Sequence, residues 1–190
     1  KWNLARFAEC LIPFIDPDKE RAIKIATEMI NDFDKNYETK WLNMMRDKLG
    51  LYGEDSKDQV LILDLLTWMH QNKVDYTNTF CFLMGKKIGK DEIYNNENFL
   101  IWKKRWLQRL KLNNNTLEKC LNLMKSVNPF IIPRNHKVEE VLVAADNNDL
   151  EPLKNFLKIL TNPYEDQKIN LDYFSPTHPN KEKYQTFCGT

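Results

Sequence analysis

Residues 99–112 read FLIWKKRWLQRLKL. Phe99, Trp102, Trp106 and Leu110 recur at three- and four-residue spacing, which places them on one side of a helix. Lys103, Arg105 and Arg109 fall largely off that side, so the spacing predicts an amphipathic helix with a tryptophan-rich inner face. The interleaving of rings and bases also fits a nucleic-acid stripe through Lys103, Lys104, Arg105 and Arg109. Charge weighs against that reading. The chain carries 28 basic and 27 acidic residues, a net charge of +1, and so has no global field toward polyanions. Basic side chains whose stems lie over an apolar core explain the pattern more simply.

The rest of the chain repeats this helical period. Just before it, 60–71 (VLILDLLTWMHQ) is apolar enough for a central buried helix, with His70 partly buried on it. Asp75 is placed to cap a short helix that stops near Gly85. The stretch 85–98 is the most loop-like of the interior. Leu117, Leu121 and Met124 are in register on a further helix, which Asn128-Pro129 ends. Residues 133–149 and 150–164 form a helix pair, the second capped by Asp149. Toward the N-terminus, Leu4, Phe7, Ala8, Leu11 and Ile15 share a face of a first helix, whose last turn contains Pro13. Asp16 and Pro17 then suit the start of a second helix. Its stripe (Ala26, Ile30, Phe33, Tyr37, Trp41, Met44) runs to Gly50, so a single helix of about 33 residues and about 50 Å is expected. With only five glycines in 190 residues, sheets with many tight turns are disfavoured. The fold class read from this is all-α, an array of seven to nine helices over residues 1–162 with an irregular tail over 163–190.

No Gly-rich phosphate loop, zinc-spaced Cys/His set or nucleophile elbow occurs. No apolar run approaches the roughly 18 residues of a membrane span. The cysteines are Cys10, Cys81, Cys120 and Cys188. Their wide spacing implies free thiols in a reducing compartment, and the apolar neighbours of the first three predict that they are buried and inert. His178 lies in the tail and is expected to be solvated. In 129–136 (PFIIPRNH), Arg134 opens a helix, an unfavourable place for a cation unless a carboxylate of a neighbouring helix meets it.

Three segments together resemble one family: WNLARFAECLIPFI at 2–15, NPFIIPRNHKVEEVLVAADNNDLEPLKNFLKILTNPY at 128–164, and the terminal FCGT. They are similar to the C-terminal part of selenoprotein O, a protein-kinase-like group that transfers AMP from ATP to protein side-chain hydroxyls. The chain departs from it at His136, where many members have Tyr, and at Asn148, where Gly often stands.

The resemblance implies that the chain completes the C-lobe of a kinase-like fold. It further implies that the catalytic and metal-binding residues precede the position of Trp2, so none is carried over. ATP and a divalent metal (Mg or Mn) would serve the longer parent and none this portion, which is expected to be inactive alone. Its partners would be the N-terminal kinase-like lobe and protein substrates, with no nucleic acid or membrane, in a bacterial cytoplasm. Cys188 stands where members carry selenocysteine or cysteine, which makes it the candidate redox thiol, paired with a cysteine of the lobe. A stand-alone helical interaction module is the alternative. A portion of a larger fold is also expected to expose apolar surface, on the first helix or near Trp102 and Trp106.

Overall fold

The computed structural model describes residues 1–89, 91–112, 115–166 and 173. Among them are nine α-helices, one 3-10 turn and no strand: α1 (Trp2–Ile15), α2 (Lys19–Asn31), α3 (Phe33–Lys48), α4 (Asp58–Gln71), α5 (Tyr76–Leu83), α6 (Glu97–Leu110), α7 (Leu117–Val127), α8 (Asn135–Asp146) and α9 (Glu151–Leu160). The all-α class is as the periodicity indicates. No described helix is long and apolar enough to cross a membrane. The chain divides into two compact units, Lys1–Met45 and Arg46–Thr190.

The second unit has its own core. Helix α6 supplies Phe99, Trp102 and Trp106, all buried, and α4 supplies Leu61, Ile62, Leu65 and Trp68. A buried indole must place its N–H. Trp102 donates to the Leu61 carbonyl at 2.8 Å, and Trp106 to the Leu49 carbonyl at 2.8 Å. Trp68 donates to Asn96 Oδ1 at 3.1 Å, the same oxygen that caps α6 through the Phe99 N–H. Tyr94, from the 3-10 turn within the stretch read as a loop, stacks on Phe82 at 3.9 Å. Burial pushes its phenol up to about 12.

Below this aromatic layer lies a buried ion cluster. Asp58, the first residue of α4, is fully buried. It accepts from Arg46 Nε at 2.8 Å, Arg109 Nε at 2.6 Å and the Asp55 N–H at 3.0 Å. Arg109 also donates to the carbonyls of Tyr52 and Gly53, at 3.2 and 3.1 Å. Burial works against the charge on Asp58, but the hydrogen bonds from Arg109 and Arg46 outweigh it and hold the carboxyl below the usual range. Arg109 thus corrects the reading that set it off the inner face. It follows Trp102 by seven residues and Trp106 by three, and shares their side of α6.

Gly50 ends α3 as its position suggests, with φ +69°, and a Cβ there would meet the Cys120 carbonyl oxygen of α7 at 2.7 Å. Asn128 follows α7 and donates to the Lys48 and Met124 carbonyls at 2.9 and 2.8 Å. Asn148 takes a left-handed φ of 62°, which accounts for glycine being accepted there.

In the first unit, the single long helix expected from Asp16 to Gly50 is two. The sequence Asn31-Asp32-Phe33-Asp34 is poor in helix formers, and its side chains compete for backbone groups. The break falls at Asp32, whose carbonyl accepts the Asn36 N–H at 3.0 Å. Asp18, not Asp16, caps α2, accepting from the Glu20 and Arg21 N–H groups at 2.9 and 3.3 Å. Helix α1 passes through Pro13 to Ile15 and buries no residue. Of the two places expected to expose apolar surface, α1 does so, while Trp102 and Trp106 are covered.

Removing the Asp58 carboxylate takes the buried counter-ion from two buried guanidinium groups, and Asp58→Ala is expected to cost about 3–5 kcal/mol in denaturant unfolding. Because the folded-state pKa is depressed, Asp58's contribution is complete above the unfolded value of about 3.9 and lost as pH falls through the folded value. The gap between wild type and variant should therefore be constant near neutral pH and close only below about pH 4.

Candidate functional site

The basic stripe of α6 does not assemble. Arg109 is consumed by Asp58, and Arg105 pairs with Asp64 of α4 at 2.6 Å. The Lys103 ammonium sits over the Phe82 ring at 5.2 Å. A groove that tracks a phosphate backbone needs free cations in a row, and this face does not present the four together.

Arg134 meets its expected carboxylate. It holds Asp75 with two bonds, Nη1 to Oδ2 at 2.8 Å and Nη2 to Oδ1 at 3.1 Å, and adds Asn78 Oδ1 at 3.0 Å. Asp75 also caps α5 as the sequence indicates, accepting the Asn78 N–H at 2.8 Å. Burial opposes its charge, but the bonds from Arg134 and Asn78 prevail and keep it below the usual carboxylate range. Arg134 Nε reaches the Tyr173 carbonyl at 3.2 Å. One arginine therefore ties the start of α8 to the start of α5, a joint with no free acid or base. Asp149 acts one residue earlier than a regular cap, accepting the Glu151 N–H at 3.1 Å.

The thiols separate into two kinds. Cys81 is buried, near the Pro129 and Phe130 carbonyls at 3.8 and 3.9 Å, and burial pushes it up to about 12. Cys120 is buried and raised by the same cause. Cys10 is exposed on α1, contrary to expectation, because the apolar neighbours that suggested burial are themselves exposed. Cys188 and His178 lie outside the described residues. His70 is exposed, not partly buried: it continues the Leu63–Thr67 line on the solvent side of α4.

Among the described residues no group of three or more His, Cys, Asp and Glu converges as a metal site. The buried carboxylate Asp58 and the half-buried Asp75 are both held by arginine. The described residues therefore do not fit a Mg or Mn site. One concavity among the described residues is a groove of about 870 Å³ between α1 and α2, within the first unit. Ala5, Ala8, Ile12, Ile23, Ala26 and Ile30 give it an apolar lining. It can take apolar side chains, with Glu9, Asp16, Lys19 and Thr27 also among its lining.

What the sequence reading missed is the Arg46–Asp58–Arg109 cluster. The signal was available at Arg109, on the tryptophan side of α6, but nothing local marks Asp58 as its partner across 51 residues.

Comparison with known proteins gives these observations a context. Over its full length the chain is 56% identical to a protein nucleotidyltransferase (YdiU) of Pelagibacter ubique. It is 44% identical to the protein of the same name from Alcanivorax borkumensis, and 41% to that of Clostridium perfringens. It spans only about two-fifths of these relatives, 39%, 40% and 39% of their lengths. The family model described as protein adenylyltransferase SelO matches residues 1–161. The chain belongs to the SelO family of protein adenylyltransferases.

Proposed function

We propose that this chain is the helical portion of a protein nucleotidyltransferase that moves AMP from ATP to protein hydroxyl groups. The observation that carries the reading is the alignment: the chain is matched over its full length by relatives named protein nucleotidyltransferase, yet they are more than twice as long. In this reading ATP and its divalent metal are held by a kinase-like lobe outside the chain. There the substrate hydroxyl attacks the α-phosphorus and pyrophosphate leaves. Residues 1–162 complete the C-lobe and brace it. The second unit suits such a role, because its ion cluster and indole bonds fix the Arg46–Leu49 segment, α4 and α6 against one another. Bracing holds a transfer site in its productive geometry without touching the reacting atoms.

A chimera tests this: the chain replaces the matching 39% of the Pelagibacter relative. Transfer of labelled AMP to protein is expected to persist in the chimera. Residues 1–190 alone are expected to give no micromolar Mg-ATP binding by calorimetry. A folded chimera without transfer, or tight nucleotide binding by the chain alone, would overturn the reading.

The tail, residues 163–190, carries Cys188, which in this reading is a redox-responsive thiol pairing with a cysteine of the lobe. Burial of Cys81 and Cys120, with their raised pKa values, supports leaving them out of that exchange. An oxidised low-molecular-weight disulfide would accept the two electrons while both thiols lose their protons. In the chimera, Cys188 should alkylate readily when reduced and become protected after treatment with oxidised glutathione. Cys188→Ser should remove any redox dependence of AMP transfer. Equal alkylation in both states would contradict the assignment.

A further inference from the structure

Helix α1 is apolar around most of its circumference but buries nothing. Phe7, Cys10, Leu11 and Phe14 form one continuous line, with Phe7 61% and Phe14 85% exposed. Trp2, 72% exposed, lies on another side, and the Ala5–Ala8–Ile12 line opens into the groove with α2. A helix apolar on all sides belongs inside a protein. Its charges are also neutralised locally: Arg6 pairs with Glu9, and Lys1, at its start, with Asp34. The first unit has 45 residues, and Ala22 and Ala26 are the buried residues of α2. A unit of this size without a core does not hold itself together.

We infer that α1 is an internal helix of the complete enzyme, enclosed by the part of the polypeptide that the relatives have and this chain lacks. The inference rests on the reading that the chain works within a longer nucleotidyltransferase. Three occupants compete, and the surface selects among them. A two-fold copy would cover one face, whereas α1 needs cover on several. A bilayer surface suits a helix with a strongly charged face, which α1 does not have. The remaining three-fifths of the same polypeptide is large enough to surround a helix, and it is covalently linked, so it acts at a high effective concentration. Sparse, self-paired charge is the signature of permanently buried contact, not of a transient interface.

Cys10 is a built-in probe, one turn from both Phe7 and Phe14. Its alkylation rate is compared in residues 1–190 and in the Pelagibacter chimera. The rate is expected to fall at least about 30-fold in the chimera and to be independent of protein concentration in the chain alone. The double substitution Phe7→Asp, Phe14→Asp should leave the thermal transition of the chain alone unchanged. In the chimera it should lower the midpoint by about 5 °C or more. Equal Cys10 reactivity in both proteins overturns the inference. So does protection in the chain alone, whether constant or rising with concentration as a dimer forms. Protection in a chimera that transfers no AMP would leave this surface standing and remove the functional reading. Transfer with Cys10 unprotected would do the reverse.

Discussion

The second unit depends on one buried carboxylate. Asp58 has no solvent contact, so its charge is tolerable only if Arg46 and Arg109 remain in place. That condition fixes several elements at once. Arg46 lies in the last turn of α3, Asp58 heads α4 and Arg109 closes α6. Arg109 also gathers the Tyr52 and Gly53 carbonyls of the connecting loop. The indole bonds from Trp102 and Trp106 then lock α6 to Leu61 and Leu49. Charge and hydrogen bonding give this core its geometry, and the aromatic layer gives it its burial. A cluster of this kind is weak evidence for net stability but strong evidence for a single arrangement, since any slip of α6 would strand a buried ion.

The first unit obeys a different logic. Its first helix has the composition of a core without being one, and its largest exposed side chains are those a folded enzyme would hide. Membership of a family whose relatives are more than twice as long gives that pattern a physical reading. In the proposed reading the second unit is a brace, and the first is an insert whose energetics are completed by other residues. A transfer enzyme built this way would anchor its nucleotide-binding lobe on a helix enclosed by it, not on a surface patch.

Much of this was legible in the sequence. Asp75 as a cap, Gly50 as a stop and Asn128-Pro129 as a helix end follow from backbone chemistry that acts within a few residues. The α6 face follows from periodicity, and the Arg134 partner was anticipated because a cation at a helix start needs an anion. The failures are of two kinds. The Asp32 break was lost because an apolar stripe continues across it, and periodicity outweighed four poor helix formers. Arg109 and Cys10 were misplaced because burial depends on elements distant in sequence: a polar residue was assumed to face water, and a thiol among apolar residues was assumed to be covered. Asp58 carried no local signal at all.

Native-state hydrogen exchange tests the central claim most directly, that the core is complete from Arg46 onward and incomplete before it. In residues 1–190, amides of α4 and α6 should exchange only through global unfolding, while those of α1 should exchange through cheap local opening. In the chimera with the longer relative, α1 should rise to the protection of α4 and α6. Protection of α1 equal to that of α4 in the chain alone, or α1 left open in the chimera, would contradict the account.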